Sequence, residues 1–271
     1  MSSQDVAGYL ALQRFLEGAA GIVLGPGNEH LVASRLASLM REQRISDLRE
    51  LTRMLEARAS PRLRTAVIDA MTMGDTAWFR EPAHYRMLVD DVLPAVSASR
   101  VRIWSAACST GQEPYSLSIA AQEYLLGDPA RLPGGVEILA TDIAQAALDE
   151  ARRGVYCGAL AGRGLSDERR QRYFTAQGDC LSVRNEIRQR VLFRQFNLTG
   201  GIQVLGQFDV IFCRHVVGYF ATERRREVLG RLIQALKPGG FLFLGPGEVP
   251  DGFAADLEER TAHGATAYRR R

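Results

Sequence analysis

The 271-residue sequence has few of the features that mark membrane, secreted or metal-binding proteins. No uninterrupted apolar run approaches the ~18 residues of a membrane-spanning helix, and the first twenty or so residues lack the basic start and long apolar core of a secretion signal. The four cysteines, at positions 108, 157, 180 and 213, form no CxxC pair, which argues against a zinc ribbon. We therefore expect a cytoplasmic protein with reduced thiols and no direct membrane insertion.

The chain also lacks a strong excess of charge of either sign. Its 34 basic residues face 31 acidic residues, a formal net charge of +3, and this balance does not favour nucleic acid as a partner. One local exception is the segment 35–64, where eight arginines face four acidic residues. A basic face there could steer an acidic partner towards the protein, or it could be an ordinary solvated helix face.

Two patterns follow one another along the chain. From residue 6 to about 67, apolar residues recur every three or four positions, which predicts helices, with breaks at 24–30 and 57–63. From residue 101, short apolar runs alternate with helical stretches, and this alternation predicts a doubly wound α/β domain with a mostly parallel sheet. The predicted strands are 101–106, 136–142, 191–198, 208–215 and 239–245, and the predicted helices are 113–126, 144–153 and 222–236.

The loop after the first of these strands, "SAACSTGQEPYS" (105–116), lacks the dinucleotide fingerprint GxGxxG. Glu113 at the start of the next helix would repel a diphosphate, which binds at such helix starts. Small residues with an acid suit a cationic cofactor such as S-adenosylmethionine, and Asp142 ends the second strand where an acid can bind ribose hydroxyls. The alternative is that both acids only stabilise the starts of helices.

The motifs "STGQEPYS", "ATDI", "FNL", "FDVIFCR" and "LKPGGFLFLG" occur in one order along the chain. In this the sequence resembles, from end to end, the CheR family of chemoreceptor glutamate methyltransferases. The resemblance implies a helical N-terminal domain over residues 1–75 and a Rossmann-like methyltransferase domain over residues 76–271. The Gly-rich segment 154–190, which interrupts the alternation and has a possible strand at 179–184, would hold a short inserted β-subdomain.

The resemblance also implies the residues of the site. Thr76 and Arg80 would close over S-adenosylmethionine, with Arg80 and Tyr219 on the side of methyl transfer. The implied partners are the cytoplasmic signalling helices of chemoreceptors, which would dock on Arg49, Arg53 and Arg58 of a monomeric enzyme; no metal is expected. The full set of implied cofactor contacts is Gly74, Thr76, Arg80, Ala106, Glu113, Asp142, Asn197, Leu198, Arg214 and His215.

Three positions depart from the family pattern: Gly74 and His215 replace asparagines, and Pro246 with Gly247 replaces a His-Ser or Ala-Ser pair. These departures leave open a cofactor-binding regulatory homologue with reduced or no activity. We expect His215 to be a cofactor contact, because a neutral imidazole offers one donor and one acceptor. A metal role is disfavoured, since the other histidines fall in distant segments, and a base is not needed to methylate an ionised carboxylate.

Overall fold

Four helices build the N-terminal part of the chain. The computed structural model describes residues 3–25, 27–57, 60–72, 74–96 and 100–271. The helices bury apolar residues that share one face, such as Leu12, Leu36 and Leu51, and the predicted breaks fall between them. Their bounds are α1 (Ser3–Ala20), α2 (Glu29–Glu42), α3 (Leu48–Glu56) and α4 (Pro61–Thr72).

A seven-stranded, mostly parallel sheet forms the centre of the rest, in the order β6-β2-β1-β7-β8-β10-β9. The predicted parallel strands are confirmed, and β10 pairs antiparallel with β8 and β9. The antiparallel hairpin was not predicted, because only three of its twelve strand residues are buried. The strands are β1 (Val101–Ala106), β2 (Val136–Asp142), β6 (Val191–Gln195), β7 (Phe208–Cys213), β8 (Leu236–Leu244), β9 (Leu257–Ala262) and β10 (Ala265–Arg270).

Apolar side chains cover both faces of this sheet. Neighbours along β1 point to opposite faces, so that Ile103 packs in one buried layer and Trp104 in the other. Among the described residues, no helix has the length and apolar character to cross a membrane. The remaining helices are α5 (Pro82–Met87), α6 (Leu93–Ala95), α7 (Gln112–Gly127), α8 (Gln145–Arg153), α9 (Asp167–Tyr173), α10 (Asn185–Arg188) and α11 (Thr222–Ala235), with a π-helical turn (Leu88–Val92) between α5 and α6.

Several contacts join the helical part to the α/β part. The carboxylate of Asp69 in α4 accepts hydrogen bonds from the backbone N–H groups of Gln145 and Ala146 at the start of α8. Ile22 forms a β-bridge with Phe220, and the backbone N–H of Val23 donates to the carbonyl oxygen of Tyr219 at 2.9 Å. The segment that follows β7 is therefore held from the N-terminal side.

The insertion is a separate three-stranded antiparallel sheet in the order β3-β5-β4, which confirms the β-subdomain. Its strands are β3 (Val155–Cys157), β4 (Phe174–Gln177) and β5 (Cys180–Val183). The loop after β3 packs against Trp78, whose backbone N–H and indole Nε1 donate to the carbonyl oxygens of Arg163 and Ala161. Gly164 permits this approach, because a Cβ there would lie 2.0 Å from the Trp78 carbonyl oxygen.

The expectation that all four thiols are reduced is wrong for one pair. Cys157 and Cys180 form a disulfide, whereas Cys108 and Cys213 are free and buried. Strands β3 and β5 place the paired cysteines directly opposite one another, with Cα atoms 4.0 Å apart. A sequence separation of 23 residues carries no motif that predicts this pairing.

We predict that replacing both paired cysteines, Cys157→Ser with Cys180→Ser, lowers the free energy of unfolding by at most about 3 kcal/mol, because the closed loop restricts the unfolded chain. Thermal unfolding without reductant measures the effect. Reductant should lower the stability of the unsubstituted protein and leave the double variant unchanged. Alkylation of all four cysteines in the denatured, unreduced protein would contradict the pairing.

Candidate functional site

Four chain segments meet at the carboxyl edge of the parallel strands, the edge where open α/β sheets bind ligands. They are the loop after β1, the end of β2, the segment after β7, and residues 74–81, here called the cover strip. Five of the seven described non-glycine residues with positive φ lie in these segments, and a left-handed backbone costs roughly 1–2 kcal/mol per residue. Such strain concentrates at functional sites. The five are Phe79, Glu81, Ala107, Ser109 and His215.

Arg214 is the buried centre of this edge, with a side chain only 2% exposed. Its Nε lies 2.8 Å from Glu113 Oε2, and its Nη1 lies 2.8 Å from Glu81 Oε2. Nη1 also donates to the carbonyl oxygen of Arg80 at 2.8 Å. Burial alone lowers the pKa of Arg214, but Glu113 and Glu81 help to raise it above its ordinary value, so the guanidinium stays charged. Arg214 thereby joins β7, α7 and the cover strip.

His84 lies beside Arg214 as a neutral ring. Its Nδ1 is 3.2 Å from Arg214 Nη1, and because a guanidinium only donates hydrogen bonds, this ring nitrogen acts as the acceptor. Burial and the charge of Arg214 lower the pKa of His84 to about 4. His84 also lies 3.4 Å from Glu81, the carboxylate that His215 contacts at 2.6 Å. The expectation that the other histidines are remote from His215 is therefore wrong for His84.

Asp142 and Glu113, the two acids named from the sequence, both lie at this edge. Asp142 Oδ2 accepts from the backbone N–H of Ser109 at 2.8 Å and Oδ1 from that of Ala144 at 2.9 Å, and burial raises the pKa of Asp142. Glu113 Oε1 accepts from the hydroxyl of Ser105 at 2.7 Å. A carboxylate oxygen accepts about two hydrogen bonds, so these oxygens keep capacity for ligand hydroxyl or ammonium groups.

Arg80 contacts His215, and Tyr219 follows His215 by four residues in the segment after β7. Arg80 is about 39% exposed at its side chain; its Nη1 donates to the carbonyl oxygen of Asp75 at 3.0 Å, and its Nη2 lies 3.5 Å from His215 Nδ1. Tyr219 is 59% exposed and ends a short 3-10 turn five residues after Arg214. Arg80 is thus linked to the edge through His215, and Tyr219 belongs to the segment that follows β7.

The other predicted cofactor residues differ in burial and in their hydrogen bonds. Ala106 and Leu198 are buried, and Asn197 is engaged within the protein, since its Nδ2 donates to the carbonyl oxygen of Ala19 and its Oδ1 accepts from Thr199. The carbonyl oxygen of Thr76 accepts from Arg163 at 2.7 Å. Gly74 is exposed, and a Cβ there would have only one neighbour within 4 Å, so the family asparagine would fit.

Comparison with known families decides what kind of protein carries this edge. A model described as "CheR methyltransferase, SAM binding domain" matches residues 74–263, and one described as "CheR methyltransferase, all-alpha domain" matches residues 7–72. The chain belongs to the CheR methyltransferase family. It is therefore a methyltransferase that depends on S-adenosylmethionine.

Several chemotaxis methyltransferases are similar to this CheR chain over most of its length. Chemotaxis protein methyltransferase 1 of Pseudomonas aeruginosa is 47% identical over 239 residues, covering 86% of this chain and 87% of that protein. Chemotaxis protein methyltransferase Cher2 of Pseudomonas putida is 43% identical, with 88% of each chain covered. The chemotaxis protein methyltransferase of Escherichia coli is 33% identical, covering 97% of this chain and 90% of that protein.

The charges of this CheR site fit S-adenosylmethionine. Four carboxylates, from Glu81, Glu113, Asp142 and Glu248, belong to the segments of this edge, which also carry the guanidinium groups of Arg80 and Arg214. The carboxylates exceed the guanidiniums by two, which suits a cofactor with a sulfonium and an ammonium group. Among the described residues, the one group of possible metal ligands is Cys157, Asp179 and Cys180, and its two sulfurs form the disulfide.

Sequence reasoning missed three residues of the site: Glu81, His84 and Glu248. Glu81 and His84 contact Arg214, which lies about 130 residues later in the sequence. Glu248 accepts hydrogen bonds from the backbone N–H groups of His215, Gly218 and Gly245. Glu81 could have been predicted as a site residue, because it directly follows Arg80 in the sequence. Nothing in the sequence pattern distinguishes the other two.

The docking arginines lie on the N-terminal part of the CheR chain. Arg49 and Arg53 are exposed, one turn apart on α3, whose opposite face buries Leu51 and Leu55. The carboxylate of Asp47 caps α3 through the backbone N–H of Glu50, and Glu50 itself accepts from Ser46. No salt bridge engages Arg49 or Arg53 within the described part of the chain. Arg58 lies outside the described residues.

We predict that His84 makes this CheR protein less stable as the pH falls. Its pKa is about 4 in the folded state and about 6.5 in the unfolded state, so the unfolded chain binds the proton first. Stability is fully present above pH ~6.5 and falls by about 3 kcal/mol as the pH drops to ~4. Urea unfolding between pH 7.5 and 4.5 measures this slope. His84→Asn, which keeps an acceptor near Nδ1, should flatten it, and an unchanged slope would contradict the assignment.

Proposed function

We propose that the protein transfers the methyl group of S-adenosylmethionine to glutamate side chains of chemoreceptors, forming glutamyl methyl esters. The observation that carries the proposal is that Arg214 joins the strip of Arg80 to Glu113, at the edge where β2 ends in Asp142. The names of the similar chemotaxis methyltransferases support the receptor as substrate. The proposed enzyme is a monomer that acts in the cytoplasm on the receptors' signalling helices.

The proposed cofactor contacts divide by chemistry. Asp142 would accept hydrogen bonds from the ribose hydroxyls, and Glu113 would hold the ammonium end. Thr76, Arg80 and Gly74 of the cover strip would close over the bound molecule, and the segment at Asn197 and Leu198 would border the adenine. Ala106 and Arg214 complete the set. When bound, the cofactor supplies a methyl group activated by the sulfonium.

The residues need only align and desolvate the substrate. A glutamate side chain, with a reference pKa of about 4.3, is already ionised at neutral pH, so no general base is required. Arg80 can orient this carboxylate, because a guanidinium presents a rigid fork of donors, and its fixed geometry favours the in-line approach. Tyr219, four residues after His215, is the proposed residue that helps to exclude water. His84 is unsuited as a base, because its Nδ1 is occupied by Arg214.

Receptor docking is proposed for the exposed face of α3. Arg49 and Arg53 lie one helical turn apart there without an ion pair among the described residues. A receptor helix with clustered glutamates would be steered towards such a face, and the attraction should weaken as salt increases. Arg58, predicted from the sequence to extend this face, is not among the described residues.

We predict that Arg80→Ala lowers methyl transfer by about 100-fold or more, because the carboxylate loses its orienting donors. Arg80→Lys keeps the charge without the fork and should recover only part of the rate. Transfer of labelled methyl groups to receptor-containing membranes measures the rate, and calorimetric titration with S-adenosylhomocysteine measures cofactor binding. Cofactor binding without transfer to any receptor by the unsubstituted protein would instead support a regulatory homologue.

We predict that Arg49→Glu with Arg53→Glu raises the KM for receptor membranes about tenfold at low salt, with kcat and cofactor affinity unchanged, because the steering charge is reversed. The matched control is Arg226→Glu on α11, an exposed arginine on the other part of the chain. Steady-state transfer at several salt concentrations gives both constants. An equal rise in KM for the control and the α3 variant would exclude a docking role for this face.

A further inference from the structure

His215 replaces the usual family asparagine, and its ring is turned towards the cover strip. Nε2 lies 2.6 Å from Glu81 Oε1, and Nδ1 lies 3.5 Å from Arg80 Nη2. Both ring nitrogens therefore have a partner in the strip. In this arrangement both ring nitrogens face the strip.

The backbone of His215 is built to hold the ring in this direction. Its φ is +58°, in the left-handed region, and its N–H donates to Glu248 Oε2 at 2.8 Å. The N–H of Gly245 donates to the same oxygen at 2.8 Å. A Cβ on Gly245 would lie 2.8 Å from His215 N and 3.2 Å from Nδ1, so this glycine leaves room for the ring.

The partners of the ring define a chain of hydrogen bonds. Arg80 can only donate, so Nδ1 is the acceptor and Nε2–H donates to Glu81. The other oxygen of Glu81 accepts from Arg214, which in turn donates to Glu113. His215 thus links Arg80, the proposed orienting residue, to Glu113, the proposed cofactor acid.

We propose that His215 is a positioning residue: through Glu81 and Arg80 it fastens the cover strip to the end of β7, and it does not bind the cofactor itself. The inference rests on the function proposed above for Arg80 and the strip. It identifies a strip-to-sheet contact that the family asparagine is too short to make in the same way.

The experiment compares His215→Gln, His215→Asn, Glu81→Gln and the double variant Glu81→Gln with His215→Asn. The amide nitrogen of glutamine reaches about as far as Nε2 and keeps a donor for Glu81, whereas asparagine ends near the position of Nδ1. Asparagine, however, tolerates positive φ better than glutamine. If the role of His215 is purely structural, His215→Asn should be more thermally stable than His215→Gln. If His215 positions the strip, His215→Gln should bind the cofactor more tightly than His215→Asn.

We expect His215→Asn to weaken S-adenosylhomocysteine binding about tenfold, the scale of one hydrogen bond to a charged group, and His215→Gln to weaken it less than threefold. In the Glu81→Gln protein, the amide oxygen would face Arg214 and the amide NH2 group would face His215. No tautomer of the ring can then satisfy both this NH2 group and Arg80, so adding His215→Asn should cause little further loss. Calorimetric titration measures all affinities. His30→Gln, an exposed histidine on α2, is the control.

Two results would overturn the inference. If His215→Asn binds the cofactor as tightly as the unsubstituted protein or more tightly, residue 215 either contacts the cofactor directly or only fills space. Losses at positions 81 and 215 that simply add would show that the pair does not act together. Cofactor titration needs no receptor, so these results remain decisive even if transfer to receptors fails and the proposed function falls.

Discussion

The charge balance around Arg214 is the constraint on which the site depends. A guanidinium that is 2% exposed needs charged partners, because an unpaired buried charge destabilises a protein by roughly 3–5 kcal/mol. Glu113 at the start of α7 and Glu81 in the cover strip supply them. The same contacts that neutralise the charge fix three otherwise separate segments relative to β7. Neutral His84, which accepts from Arg214, follows from the same requirement.

This arrangement explains how one edge can hold a cationic cofactor and still orient an anionic substrate. The carboxylates of the site outnumber its guanidiniums, which favours the sulfonium and ammonium groups. Arg80 remains partly exposed on the cover strip, where it can meet a glutamate side chain from outside. The strip in turn rests on the inserted β-subdomain through Trp78 and Arg163, so that sheet edge, strip and insertion form one continuous support.

Much of the fold and part of the site could be predicted from the sequence. Alternating apolar runs located the five parallel strands, and their carboxyl ends located Glu113 and Asp142, because each position follows from local pattern. The β9–β10 hairpin escaped prediction, since only three of its twelve strand residues are buried. The Cys157–Cys180 pairing and the partners of His215 also escaped it, because each depends on strands or strips that are far apart in the chain.

The sequence by itself determined the family, the order of secondary structure elements and the residue types at the site, because motifs and periodicity are local properties. Only the tertiary structure decided which of these residues contact one another. His215 illustrates the difference: its type suggested a cofactor contact, but a left-handed backbone held by Glu248 turns its ring to Glu81. The direction of a side chain is set by backbone conformation and packing partners, and these come from distant parts of the chain.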